Sequence, residues 1–143
     1  MGADLRFQTL AEAPSRTEGA EQQRTVLLVE DDEDTLFAMD KLLTREGYLV
    51  LTAESGHDAI GMLKQPLSPI DVVLLDVHLP DVEGTALGAR MRELKPALPI
   101  VVCTGAAEPE EVAALIRLGA VHYLRKPLGG DELLTAVQRA LAE

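Results

Sequence analysis

Five times in residues 25–143 a short apolar run is followed by a segment whose apolar residues recur at helical spacing, and this alternation constrains the fold more than any other feature. The runs fall at 25–29, 48–52, 70–75, 100–103 and 121–124. Strands separated by helices cannot pair as hairpins, so they run parallel. Each crossover is then right-handed, and helices cover both faces of the sheet. The third run, with Val72, Val73, Leu74 and Leu75 in succession, has the two-sided apolarity of a central strand. The expected architecture is α/β, a three-layer doubly wound five-stranded parallel sheet of (βα)5 pattern.

The helical stripes are Leu36, Met39 and Leu43; Ala59, Ile60 and Leu63; Leu87, Met91 and Leu94; Val112, Leu115 and Ile116; and Leu133, Leu134, Val137 and Leu141. Punctuation agrees with them. Gly47 and Gly119 stand where helices end, Ser55 where one begins, and Pro66 where one stops. Pro109, with Glu110 and Glu111, opens the fourth helix, and Asp131 opens the fifth. Residues 1–24, rich in Ala, Glu, Gln and Ser, lack such a pattern and are expected to form a flexible linker or tail ahead of a domain at 25–143.

Composition narrows the function. The 13 Lys and Arg against 24 Asp and Glu give a net charge of −11, which repels nucleic-acid phosphates and anionic lipid, so neither is an expected direct partner. No apolar stretch approaches a membrane span, and the N-terminus lacks a secretory apolar core; a cytoplasmic location is expected. The single cysteine, Cys103, excludes an internal disulfide framework and reads as a small core residue.

In open parallel sheets, sites form beyond the carboxyl ends of the strands. There the sequence places Glu30-Asp31-Asp32-Glu33-Asp34 after the first run, Asp76 after the third, Thr104 after the fourth and Lys126-Pro127 after the fifth. Singly, each has an ordinary reading as a helix cap or a turn residue. Together they make a carboxylate cluster suited to a hard divalent cation, most simply Mg²⁺, with a carboxylate nucleophile, a hydroxyl and an ammonium around one phosphoryl group.

These segments, with Asp76-Val77-His78-Leu79-Pro80-Asp81-Val82-Glu83-Gly84 and Tyr123-Leu124-Arg125-Lys126-Pro127, resemble the receiver domain of two-component response regulators. The resemblance implies a flavodoxin-like fold of strand order 2-1-3-4-5. It also implies that Asp76 is the phosphoacceptor and that Glu30 and Asp31 are the acidic pair holding Mg²⁺, with Asp31 the direct ligand. By the same resemblance His78 lends its backbone carbonyl to the metal, and Thr104 and Lys126 hold the phosphoryl oxygens. The run of five acids leaves Asp32 as a second choice for the ligand. Tyr123 matches the family's switch aromatic, against the simpler reading of a residue packed at a strand edge. The implied function is a phosphoacceptor signalling switch rather than an enzyme, with a histidine kinase or histidine phosphotransfer protein as donor. Its readout would lie on the face of the last two strand–helix pairs, toward a phosphorylation-dependent protein partner or a second copy.

Other chemistries fit less well. His57, His78 and His122 lack zinc-ligand spacing, and the acidic run has no glycine at the sixth position of a calcium loop. Neither GxGxxG nor GxxxxGK[ST] occurs. An α/β phosphohydrolase with an Asp nucleophile is the rival from another class, but the acid it needs two residues on is replaced by His78. Residues 2–10 resemble the last strand of a histidine-kinase ATPase domain, which would make this the C-terminal receiver of a hybrid kinase or a single-domain relay related to one; the simpler reading of that segment is a featureless tail.

Overall fold

The structure, a computed structural model, describes residues 23–105, 108–119, 122–127 and 129–142. Five strands, β1 (Thr25–Val29), β2 (Leu49–Ala53), β3 (Ile70–Leu75), β4 (Ile100–Thr104) and β5 (His122–Arg125), alternate with five helices. The helices are α1 (Glu33–Arg45), α2 (Gly56–Leu63), α3 (Gly84–Leu94), α4 (Pro109–Arg117) and α5 (Gly130–Ala142). All strand pairs are parallel, in the order β2-β1-β3-β4-β5.

Period-two alternation sorts β1 between the two faces. Leu27 and Val29 join a core with Ala59 and Leu63 of α2, Leu87 and Met91 of α3 and Leu115 of α4. Val26 and Leu28 point the other way, into a core built with Leu36, Met39 and Leu43 of α1 and Leu133 and Val137 of α5. Leu27, Leu28 and Leu43 are fully buried, each stabilising the fold by about 1.5–3 kcal/mol relative to exposure. Gly47 and Gly119 have positive φ, 98° and 102°, as expected past the ends of α1 and α4. Ser55 caps α2 by accepting from the Asp58 amide at 3.1 Å.

Several boundaries and faces differ from the sequence reading. The second strand is shifted one residue, to Leu49–Ala53, because Tyr48 N–H is committed to the Leu43 carbonyl in the turn after α1. β4 extends through Thr104, and β5 runs to Arg125; Val121 lies outside the described residues. Ile116, expected to face inward, is 56% exposed. Only Leu115 of α4 is buried, since that helix rests on α3 and the core by a narrow stripe. On α5 the covered face is Leu133, Ala136, Val137 and Ala140, with Leu134 and Leu141 at its margin. Of the N-terminal segment, residues 1–22 lie outside the described residues, as does the kinase-like strand read at 2–10. Arg24, immediately before β1, already pairs with the start of β2, its carbonyl accepting from Leu49 N–H at 2.9 Å.

The ends of α3 and α4 are tied together by Arg92. Its guanidinium donates to the carbonyls of Leu118 (2.9 Å), Pro96 (2.6 Å), Leu98 (2.8 Å) and Gly119 (3.2 Å), satisfying groups that helix ends leave open.

Candidate phosphoryl and metal site

The strand order reverses direction between β1 and β3, which opens a crevice beyond their carboxyl ends. Glu30 and Asp31 leave β1 into that crevice and Asp76 leaves β3 beside them; Asp76 N–H donates to the Val29 carbonyl at 3.0 Å, locking the two strand ends together. Carboxylate oxygens of Glu30, Asp31 and Asp76 lie within 4.8 Å of one another, and no other such cluster of potential metal ligands occurs among the described residues. Glu30 and Asp76 are buried and Asp31 is exposed, so the cluster has two sunken acids and one at the mouth.

Lys126, just past β5, reaches in from the opposite side. Its ammonium donates to Glu30 Oε1 and lies 3.5 Å from Asp76 Oδ2. The Lys126–Pro127 peptide is cis. Burial pushes the Glu30 carboxyl above its ordinary range despite the lysine. Burial alone would pull the Lys126 ammonium down, but the Glu30 hydrogen bond and the neighbouring Asp76 charge outweigh it and hold its pKa above the usual value. Three carboxylates thus face one ammonium. A hard divalent cation balances that excess with the oxygen ligands it prefers, so the residues fit Mg²⁺.

Thr104, at the carboxyl end of β4, is fully buried, and its hydroxyl has no hydrogen-bond partner among the described residues. Its carbonyl accepts from Lys126 N–H at 3.0 Å, which ties the two residues' strand ends. Asp32 does not belong to that three-carboxylate cluster. It is the N-cap of α1, its carboxylate accepting from Thr35 N–H at 3.0 Å and from the Thr35 hydroxyl, and these bonds lower its pKa. Its own N–H donates to Glu30 Oε2 at 3.2 Å, orienting that acid. The His78 side chain is exposed, while its N–H donates to Asp76 Oδ1 at 3.1 Å. Tyr123 is half-buried against the core beneath α2, α3 and α4. Among the described residues, His57, His78 and His122 belong to no cluster of potential metal ligands. Cys103 is buried, its thiol pushed up to about 12 by burial.

Two residues with structural parts at this end of the sheet were not singled out from the sequence. Asp81 binds the N-terminus of α2, and Gly84 packs on Val77, its N–H donating to the Val77 carbonyl at 3.0 Å. The Asp81 contact joins positions 24 and 25 residues apart, which no local pattern reveals; Gly84 was visible only as the last residue of a motif.

A doubly wound sheet with this pocket at its switch point defines a receiver-type α/β domain. The chain belongs to the response regulator receiver domain family, whose model matches residues 26–138. It is 35% identical over 117 residues to the transcriptional regulatory protein ZraR of Salmonella typhimurium, covering 82% of this chain and 26% of that protein. It is 32% identical over 122 residues to the DNA-binding transcriptional regulator NtrC of Proteus hauseri, covering 84% and 25%. The chain therefore spans about a quarter of the length of these curated relatives. Among solved structures, a CheY-like response regulator receiver domain protein from Methanospirillum hungatei JF-1 superposes with a TM-score of 0.80 at 28% identity, covering 84% of this chain and 94% of that one. Family membership disfavours the phosphohydrolase reading. Among the described residues, no helix is long and apolar enough to cross a membrane.

Proposed function

We propose that the domain is a phosphoacceptor signalling switch in which Asp76 takes a phosphoryl group from a phosphohistidine donor. An Asp76 carboxylate oxygen attacks phosphorus, the phosphorus–nitrogen bond breaks, and the imidazole leaves with the donor, a histidine kinase or histidine phosphotransfer protein. Water later cleaves the acyl phosphate slowly, so the domain resets without being an enzyme in its own right. The observation that carries this reading is the Asp76 carboxylate itself, set at the switch point between the Glu30–Asp31 pair and the Lys126 ammonium. Glu30, Asp31, Asp76 and the His78 carbonyl would hold Mg²⁺, which supplies charge neutralisation for the approaching phosphoryl oxygens. Lys126 exchanges part of its hold on Glu30 and Asp76 for the incoming phosphoryl oxygen, and His78 N–H keeps the acceptor carboxylate oriented.

The Thr104 hydroxyl gains its missing partner when a phosphoryl oxygen arrives on Asp76. Drawn toward that oxygen, it vacates space into which Tyr123 turns, and the surface of α4, β5 and α5 changes. That face is where a phosphorylation-dependent partner or a second copy would read the state. A net charge of −11 argues that nucleic acid is not bound by this domain directly, and a cytoplasmic location fits the proposed donors. The test is intact-mass measurement after incubation with acetyl phosphate. A gain of about 80 Da with Mg²⁺, absent with a chelator, is expected; no gain under either condition overturns the reading.

A further inference from the structure

The β3–α3 loop carries both groups by which the backbone would govern the site, the His78 N–H on Asp76 Oδ1 and the His78 carbonyl, and that loop is held from outside. Its anchor is Asp81. One carboxylate oxygen accepts from Gly56 N–H at 2.9 Å and the other from His57 N–H at 2.9 Å, the first two amides of α2. The third amide, of Asp58, is already bound to the Ser55 hydroxyl, so α2 has one cap from its own chain neighbourhood and one from the loop. Close packing accompanies the hydrogen bonds. A Cβ added at Gly56 would lie 2.2 Å from Val82 Cγ1, so any larger residue there would force the Val82 side chain or the helix start to shift. At its other end the loop is closed by a bridge between His78 and Glu83, and by Gly84 N–H on the Val77 carbonyl. The loop forms one wall of a cleft of about 820 Å³ whose lining includes Asp31, Val77, His78 and Asp81.

We infer that Asp81 is a positioning residue for the metal and phosphoryl site, clamping the β3–α3 loop to α2 so that His78 presents its backbone to Asp76 and to Mg²⁺. The bonds to Gly56 and His57 also depress the Asp81 pKa, as expected of a carboxylate that accepts from two backbone amides. This inference rests on the proposed phosphoacceptor reading. Groups that orient metal ligands, once removed, commonly weaken binding about 10-fold or more.

The test compares Mg²⁺ titrations of wild type, Asp81→Ala, Asp81→Asn and Ser55→Ala, followed by the amide chemical shifts of Asp76 and His78. Ser55→Ala removes the other cap of the same helix and leaves the loop alone, so it reports what loss of a cap does by itself. Asp81→Ala should weaken Mg²⁺ by roughly 10-fold and shift the His78 amide before metal is added. Asp81→Asn, which keeps one acceptor oxygen, should restore part of the affinity, and Ser55→Ala should bind as wild type does. Equal affinity in wild type and Asp81→Ala, or equal losses in Asp81→Ala and Ser55→Ala, would overturn the positioning role alone. Wild type that binds no Mg²⁺ would overturn the phosphoacceptor reading and this inference with it. If Asp81→Ala does not fold, Asp81→Asn against Ser55→Ala carries the same comparison.

Discussion

Thr104→Val should make the unphosphorylated domain more stable. The Thr104 side chain is fully buried and its hydroxyl has no hydrogen-bond partner among the described residues, so folding strips that group of water and returns nothing. Valine has nearly the same shape, leaving no cavity to offset the gain. A buried, unsatisfied hydroxyl costs about 1–3 kcal/mol, and relief of that cost is the expected size of the effect. For a domain of this size that corresponds to a rise in melting temperature of about 3–5 °C per kcal/mol. Urea denaturation without Mg²⁺ or phosphodonor measures it directly, as an increase in midpoint at unchanged slope. The same variant should still accept a phosphoryl group on Asp76 but transmit it poorly to α4, β5 and α5, since no hydroxyl is left to be drawn inward. Destabilisation by Thr104→Val would refute the reasoning, because it would mean that the hydroxyl is already hydrogen-bonded and is not waiting for a phosphoryl oxygen.

Other expectations follow from single contacts. Gly84→Ala places a Cβ 2.5 Å from Val77 Cα, a backbone atom that cannot step aside, and should lower stability by about 1–3 kcal/mol in urea; an unchanged midpoint would mean that α3 is not seated on Val77. Burial holds the Cys103 thiol near 12 and disfavours the thiolate, so alkylation at pH 8 should be negligible in the folded protein and rapid in urea; fast native labelling would place Cys103 at the surface. Asp31→Asn removes one charge from the acidic cluster, and its Mg²⁺ titration should shift to higher concentration; an unchanged titration would move the ligand assignment to Asp32.

The legible part of this chain was whatever repeats or punctuates. The apolar runs of β1 and β3, the stripe Leu36-Met39-Leu43 and the breaks at Gly47, Ser55 and Gly119 are local signals, and each stands where it was read. The approach of Glu30, Asp31 and Asp76 was legible too, because parallel strands of one sheet carry their ends to one edge. Ile116 was misplaced since periodicity gives the direction of a helix's apolar face but not how much of it a neighbour covers. Ala136 and Ala140 were missed for the converse reason: small side chains carry a weak apolar signal yet suit a helix lying close on a sheet. The contacts of Arg92 and Asp81 were invisible, although Asp81 stands in a quoted motif, because their partners are backbone groups of distant segments, and every residue has those.

The central claim is that Asp76 is the residue that takes the phosphoryl group. Wild type treated with acetyl phosphate and Mg²⁺, reduced with borohydride to convert an aspartyl phosphate to homoserine and then mapped by peptide mass spectrometry, should carry homoserine at position 76 and nowhere else. Asp76→Asn under the same conditions should remain folded and unmodified. Homoserine at position 31 or 32 in wild type, or phosphoryl mass retained in Asp76→Asn, would contradict the account.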